Sequence, residues 1–363
     1  MALAAGAALA VGGCTAGIVI AAQGSGQAGG TAPARAAAAQ APLRLVSISP
    51  ATGGQAVNGA GDITVTYNEP LPATAPLPAL SPAIAGSWQR AGDAVVFRPA
   101  AGYPAGTHVT VTVAGTKESR TPSASSFKTG DYSTLRLQEI LTELGYLPLT
   151  WTPVPGATVP GQNAAAQLSA AYAPPAGTFQ WEPGYPAQLQ SFWAQGTPNT
   201  LDQGAITGFE SDHGLPINGS AGPAVWKALL TAAANDKRNT HGYSYAIVSQ
   251  QDPETLTIWH DGKKVFSSVA NTGIAVSPTG PGTFPVYLKL PFQVMSGTNP
   301  DGSHYADPVE WVSYFEGGDA VHYFPRGSYG FPQSLGCVEL PYDAAKEAYP
   351  YLPYGTLVTV KPE

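Results

Sequence analysis

Charged side chains are scarce in this sequence. Asp, Glu, Lys and Arg make up 11% of 363 residues, which disfavours long solvated helices held by ion pairs. Basic residues are the minority sign: 17 Lys and Arg stand against 24 Asp and Glu, for a net charge of −7. That balance argues against a nucleic-acid partner, which would need a basic face. Cysteine is nearly absent, with only Cys14 and Cys337, one in an apolar leader and one near the C-terminus. A bridge between two such segments is not expected, which leaves Cys337 as a lone thiol. No spacing of His, Cys and Asp makes a metal site, and no motif asks for a cofactor. What is abundant is Gly (42), Pro (35) and apolar residues (44%), a composition suited to packed strands, turns and linkers.

The chain length implies two or three domains. Residues 1–22 carry no charge and consist mainly of Ala, Gly, Leu, Val and Ile, as a signal peptide or anchor does. Within them Val11-Gly12-Gly13-Cys14 resembles a bacterial lipoprotein box. Contact with a membrane is expected through this segment only, with the rest of the chain in the extracytoplasmic envelope or secreted. Residues 23–42 are an Ala/Gly-rich tether that cannot bury a core. Residues 43–128 alternate as strands at Leu43–Ile48, Asp62–Tyr67, Ala94–Phe97 and Thr107–Val113, separated by Gly/Pro/Asn turns. Their pattern resembles a bacterial immunoglobulin-like β-sandwich, a spacer without catalytic residues.

Residues 131–235 turn helical. Leu137, Ile140, Leu141 and Leu144 recur at helical spacing and Gly145 closes the run. Together with Phe209, Gly214-Leu215-Pro216, Trp226 and Leu229, they resemble a small helical peptidoglycan-binding module, interrupted by a Pro/Ala/Gln-rich insertion at about 148–200. The same residues are core positions whether or not the module binds anything. Lys237–Thr240 is a polar hinge, and strands dominate from 241 to 363, including Tyr243–Val248, Thr255–Trp259, Lys264–Val269, Phe284–Leu290 and Thr356–Val360. Asp261-Gly262 supplies a tight hairpin turn, and 342–349 is the one helix expected there.

The chemistry concentrates at 320–340. Cys337 follows Ser334-Leu335-Gly336, and His322 lies fifteen residues upstream. A cysteine with a histidine is what thiolate catalysis requires, because imidazole can take the thiol proton near neutral pH. Asn271-Thr272-Gly273, Thr279–Phe284, His322, Ser334–Cys337 and Gly355-Thr356 together resemble the L,D-transpeptidase (YkuD-type) catalytic domain. The fold thereby implied is mainly β with a small helical module, ending in a β-rich YkuD-like domain.

The resemblance implies an enzyme that forms an acyl-enzyme on Cys337 with a peptidoglycan stem peptide and passes it to an amine of a neighbouring stem. His322 would be the base, and the backbone N–H groups of Leu335, Gly336 and Cys337 the oxyanion hole. Ser334, Tyr323 and Glu339 are expected to touch substrate, with Glu339 attracting the ammonium of a diamino acid. Asp319 and Ser328 are candidates to orient His322, and Trp311, Tyr314 and Phe315 either line the cleft or, the favoured reading, form an apolar wall of the domain. The sequence departs from the family at Tyr323, Leu335 and Glu339. Two alternatives stay open: an L,D-carboxypeptidase using water as acceptor, and an inactive cell-wall-binding protein.

Overall fold

Strict alternation shapes the first layer pair. Ile63–Tyr67 and His108–Val113 bury every second side chain, the period of a half-buried strand. Leu45–Ser49, Ile63–Tyr67, Ala94–Pro99 and Gly86–Ala91 form one sheet in that order, and Ala79–Ser81, His108–Val113 and Ser123–Lys128 form another. Ile63, Val65, Phe97, Val109, Val111 and Phe127 fill the space between them. The computed structural model describes residues 42–100, 102–116 and 121–362. The leader at 1–22 with Cys14, and all of the tether but residue 42, lie outside them. Among the described residues no helix is long and apolar enough to cross a membrane.

Helix Thr134–Glu143 forms where the Leu/Ile spacing places it. It ends at Gly145, whose φ of +79° lets the Gly145 and Tyr146 N–H groups cap the carbonyls of Thr142 and Leu141. Thr200–Asp212 starts from a reciprocal capping box between Asn199 and Asp202, and Pro223–Ala234 starts on a proline. The region around 148–200, expected as an insertion, is a folded part of the helical unit. It folds into the hairpin Leu149–Pro153/Gly177–Trp181 and the helices Ala164–Tyr172 and Ala187–Gln190. Ala171 and Leu189 from it are fully buried in the same core as Leu137 and Phe209.

That core does not stop at the expected hinge. It continues through Tyr243, Tyr245 and Leu357, so the helices pack on one face of the C-terminal sheet. The approach is close: a Cβ on Gly204 would meet the Gly355 carbonyl oxygen at 2.8 Å. The 237–240 segment is pinned, with the Asn239 side chain donating to the carbonyls of Gly145 and Gly242.

The C-terminal sheet is five-stranded, in the order Lys263–Val269, Thr255–His260, Ser244–Ser249, Leu357–Lys361, Gly282–Pro285. A four-stranded sheet packs on its other face: Leu288–Thr298, His304–Glu316, Asp319–Tyr323, Val338–Leu340. Ala246, Val248, Ile258, Val321, Val338, Leu340 and Val358 make the core between them. The single strand expected at 284–290 is in fact two. The chain changes sheets at Val286-Tyr287, where Val286 N–H bonds Thr356 and Tyr287 N–H bonds Tyr314. Past the site, Tyr342–Ala348 is a helix as expected, followed by a short 3₁₀ turn at Tyr349–Tyr351. The fold is mainly β with few helices.

Candidate active site

Two adjacent parallel strands carry the site. Val321 pairs with Val338, His322 with Glu339 and Tyr323 with Leu340. The period of two sends Val321, Tyr323, Val338 and Leu340 toward one core, leaving Ala320, His322, Cys337 and Glu339 on the other face. His322, Cys337 and Glu339 line a cavity of about 640 Å³ with Ser334, Leu335 and Asp319. The long hairpin Leu288–Thr298/His304–Glu316 contributes its other wall through Met295, Tyr305 and Tyr314.

His322 is 3% exposed, and its Nδ1 lies 2.8 Å from the Tyr323 carbonyl oxygen. A carbonyl can only accept, so Nδ1 carries the proton and Nε2 is the basic nitrogen. The orienting partner is therefore a backbone carbonyl, not Asp319 or Ser328. Burial holds the imidazole below its usual pKa of 6.5, opposed by the Tyr323 bond and the Glu339 charge. Cys337 is partly buried, with Sγ 3.9 Å from the Gly318 carbonyl oxygen. Burial pushes its thiol up to about 12, a hydrogen bond from the Ala320 backbone opposes this, and the Asp319 and Glu339 charges add to it. The resting pair is thus neutral thiol and neutral imidazole.

The loop bearing Cys337 is clamped through its backbone. Ser277 Oγ donates to the Leu335 carbonyl at 2.9 Å and Thr279 Oγ1 to the Gly336 carbonyl at 2.6 Å. Ser334 N–H donates to the Thr272 carbonyl, and Thr272 N–H is held at 2.6 Å by the buried carboxylate of Glu254. Asn271-Thr272-Gly273 and Thr279, picked out by their sequence pattern, are parts of this clamp. Ser334 Oγ donates to the Cys337 carbonyl at 2.6 Å and accepts from Gly336 N–H at 3.2 Å. Of the three expected oxyanion donors, Gly336 N–H is therefore engaged by Ser334. Leu335 N–H and Cys337 N–H make no hydrogen bond among the described residues. Gly336 has φ +120°, and a Cβ there would strike the Asp319 carboxylate.

Two expected substrate contacts are placed differently. The Tyr323 ring packs edge-on against Tyr342, 5.1 Å between centroids, on the core side of its strand, and only its carbonyl serves the site. Glu339 is 4% exposed and already bound: Arg326 Nε and Nη2 donate to its two oxygens at 2.8 and 2.7 Å. Both its oxygens are engaged by Arg326 and its side chain is buried, so it does not offer a free carboxylate to an ammonium. Ser334 lines the cavity as well as bracing the loop. Of the three aromatic candidates, Tyr314 reaches the cavity and donates to Gln293 Oε1 at 2.8 Å, while Trp311 and Phe315 pack in the sheet core.

Arg326 was not anticipated. It also donates to the Gln333 carbonyl at 3.1 Å, tying the ends of the loop between the two strands. A sequence signal existed: Arg326 and Glu339 are the only formally charged residues between 320 and 340. Among the described residues no group of His, Cys, Asp and Glu is arranged to hold a metal.

Residues 243–360 match the family model of the YkuD L,D-transpeptidase catalytic domain. This part of the chain is an L,D-transpeptidase domain. The matched span contains both site strands, the clamp residues and the cavity hairpin. Comparison with curated proteins gave no match. Among solved structures, the chain is similar to an L,D-transpeptidase from Mycobacterium smegmatis, with 17% identity over 88% of this chain and 100% of that one, TM-score 0.31. It is similar to L,D-transpeptidase 3 from Mycobacterium tuberculosis in complex with a faropenem-derived adduct, with 16% identity over 87% and 97%, TM-score 0.31. It is also similar to the catalytic domain of the E. faecium L,D-transpeptidase, with 26% identity over 34% and 100%, TM-score 0.30.

Proposed function

We propose that the chain is an exported cysteine L,D-transpeptidase that cross-links peptidoglycan stem peptides through an acyl-enzyme on Cys337. The observation carrying this reading is that His322 and Cys337 line one cavity inside a span matching the transpeptidase domain. His322 Nε2 takes the Cys337 proton as Sγ attacks the stem carbonyl, since the neutral resting pair must transfer the proton during attack. The N–H groups of Leu335 and Cys337 receive the developing oxyanion, joined by Gly336 if Ser334 rotates away. The C–N bond breaks, the D-alanine amine leaves with the proton from His322, and a thioester remains. An amine of a second stem then takes the acyl group, and Cys337 leaves as a thiol.

The apolar leader around Cys14 supports export and anchoring in the envelope. The sandwich at 43–128 is assigned as a spacer and the helices at 131–235 as a wall-binding element, with catalysis at 241–363. The test is incubation of the purified protein with tetrapeptide stems, followed by mass spectrometry. Dimer supports the proposal and tripeptide alone indicates a carboxypeptidase. Unchanged stems together with no carbapenem adduct on Cys337 would refute enzymatic function.

A further inference from the structure

The reaction proposed above hands protons over unequally in its two halves. At neutral pH the acceptor amine arrives as an ammonium with three N–H bonds. One remains in the new amide, one must reach Sγ, and one must go elsewhere. His322 can relay a single proton, because its Nδ1 is committed to the Tyr323 carbonyl. Hydrolysis needs no more than that, since water gives one hydrogen to Sγ and keeps the other in the carboxylic acid. Aminolysis needs a second base.

The cavity wall contains few groups able to serve. Leu335 does not titrate, and Glu339 is held by Arg326. Asp307 lies on the far hairpin and is not among the charges that act on Cys337. Asp319 begins the strand that carries His322, lines the same cavity and places its carboxylate over Gly336 Cα, one residue from the nucleophile. Among the described residues no hydrogen bond or ion pair engages that carboxylate. Glu316 at the end of the preceding strand adds a like charge.

We propose that Asp319 is a catalytic base of the second half-reaction, binding the ammonium of the acceptor diamino acid and taking one of its protons as nitrogen attacks the thioester on Cys337. The C–N bond forms, the C–S bond breaks, His322 carries the second proton from nitrogen to Sγ, and Asp319 releases its own to solvent. Burial and Glu316 raise the Asp319 carboxyl to about 6, which suits proton exchange near neutrality. Glu316, Tyr287 and Cys337 stand near it, and His322, Arg326 and Glu339 line the same cavity. The same charge raises the Cys337 thiol, so it hinders the first half-reaction while serving the second.

This inference rests on the transpeptidase reading, and the experiment separates the two. Full-length wild type and Asp319→Asn, an isosteric change, are given tetrapeptide stems between pH 5 and 8.5, and dimer and tripeptide are quantified. The wild-type dimer-to-tripeptide ratio is expected to step up near pH 6. In Asp319→Asn the step disappears and the ratio at pH 7.5 falls tenfold or more, while carbapenem acylation, followed by intact mass, becomes faster. A merely damaged fold would slow both reactions. Equal ratios in the two proteins, or a wild type that yields only tripeptide, would overturn the role of Asp319. A wild type that yields neither product and no adduct overturns the transpeptidase reading and this role with it.

Discussion

Arg326 offers the sharpest test of how the loop between the site strands is held. Its guanidinium makes three hydrogen bonds, two to Glu339 and one to the Gln333 carbonyl. The Glu339 side chain is 5% exposed and that of Arg326 29%. In Arg326→Met the carboxylate would stay buried, with Asn271 Nδ2 at 3.4 Å as its remaining side-chain donor. Removing one partner of a buried ion pair costs about 3–5 kcal/mol, and the partial exposure of Arg326 places this case near the lower figure, about 3 kcal/mol. For a unit of this size the midpoint of thermal unfolding should drop by on the order of 5–10 °C. Replacing both partners with apolar residues, Arg326→Met with Glu339→Leu, should recover most of the loss because no charge is left unpaired. Differential scanning calorimetry on the three proteins decides it. A single variant within about 0.5 kcal/mol of wild type, or a double variant no better than the single, would refute the reasoning.

Other consequences can be checked with the same preparations. Since the thiol is raised and the imidazole lowered, Cys337 should react slowly with iodoacetamide at pH 7 and show no thiolate absorbance there. Carbapenem acylation should rise with pH through a value below 6.5, as His322 loses its proton, and His322→Ala should lower the plateau by about 10²–10⁴-fold. Gly336→Ala forces a Cβ into the Asp319 carboxylate at φ +120°, so it should cut acylation at least tenfold even where the protein still folds. Asp319 is raised from 3.8 to about 6, so its contribution to stability is full below pH 3.8 and lost as pH rises through 6. Asp319→Asn should accordingly melt higher than wild type at pH 7.5 and not at pH 4; a melting point lowered at both would contradict the assigned burial.

Cys337 and His322, which line one cavity, were legible as a pair because both lie in one short stretch whose alternation and turn residues are local signals. What the sequence concealed was side-chain direction. Tyr323 and Glu339 looked equally available, yet the strand period sends the tyrosine ring into the core and sets Glu339 beside Arg326. The hairpin Leu288–Thr298/His304–Glu316 was missed beyond residue 290, although Asp301-Gly302 marks its turn, because its two strands carry polar residues on a face that lines a cavity. The 148–200 region was missed for a different reason. Its helix Ala164–Tyr172 is built mostly of alanine, which gives helix propensity without a readable apolar stripe.

The closeness of Gly204 to Gly355 bears on how such proteins can be recombined. The span that identifies the enzyme begins at residue 243, yet Tyr243, Tyr245 and Leu357 at its edge complete the interior of the helices before it. A cut at the hinge would leave a catalytic fragment with an apolar wound, prone to associate or precipitate. Exchange of the helical portion between relatives would succeed only when the small residues along this seam travel with it. The unit of kinship and the unit of folding therefore have different borders in this chain.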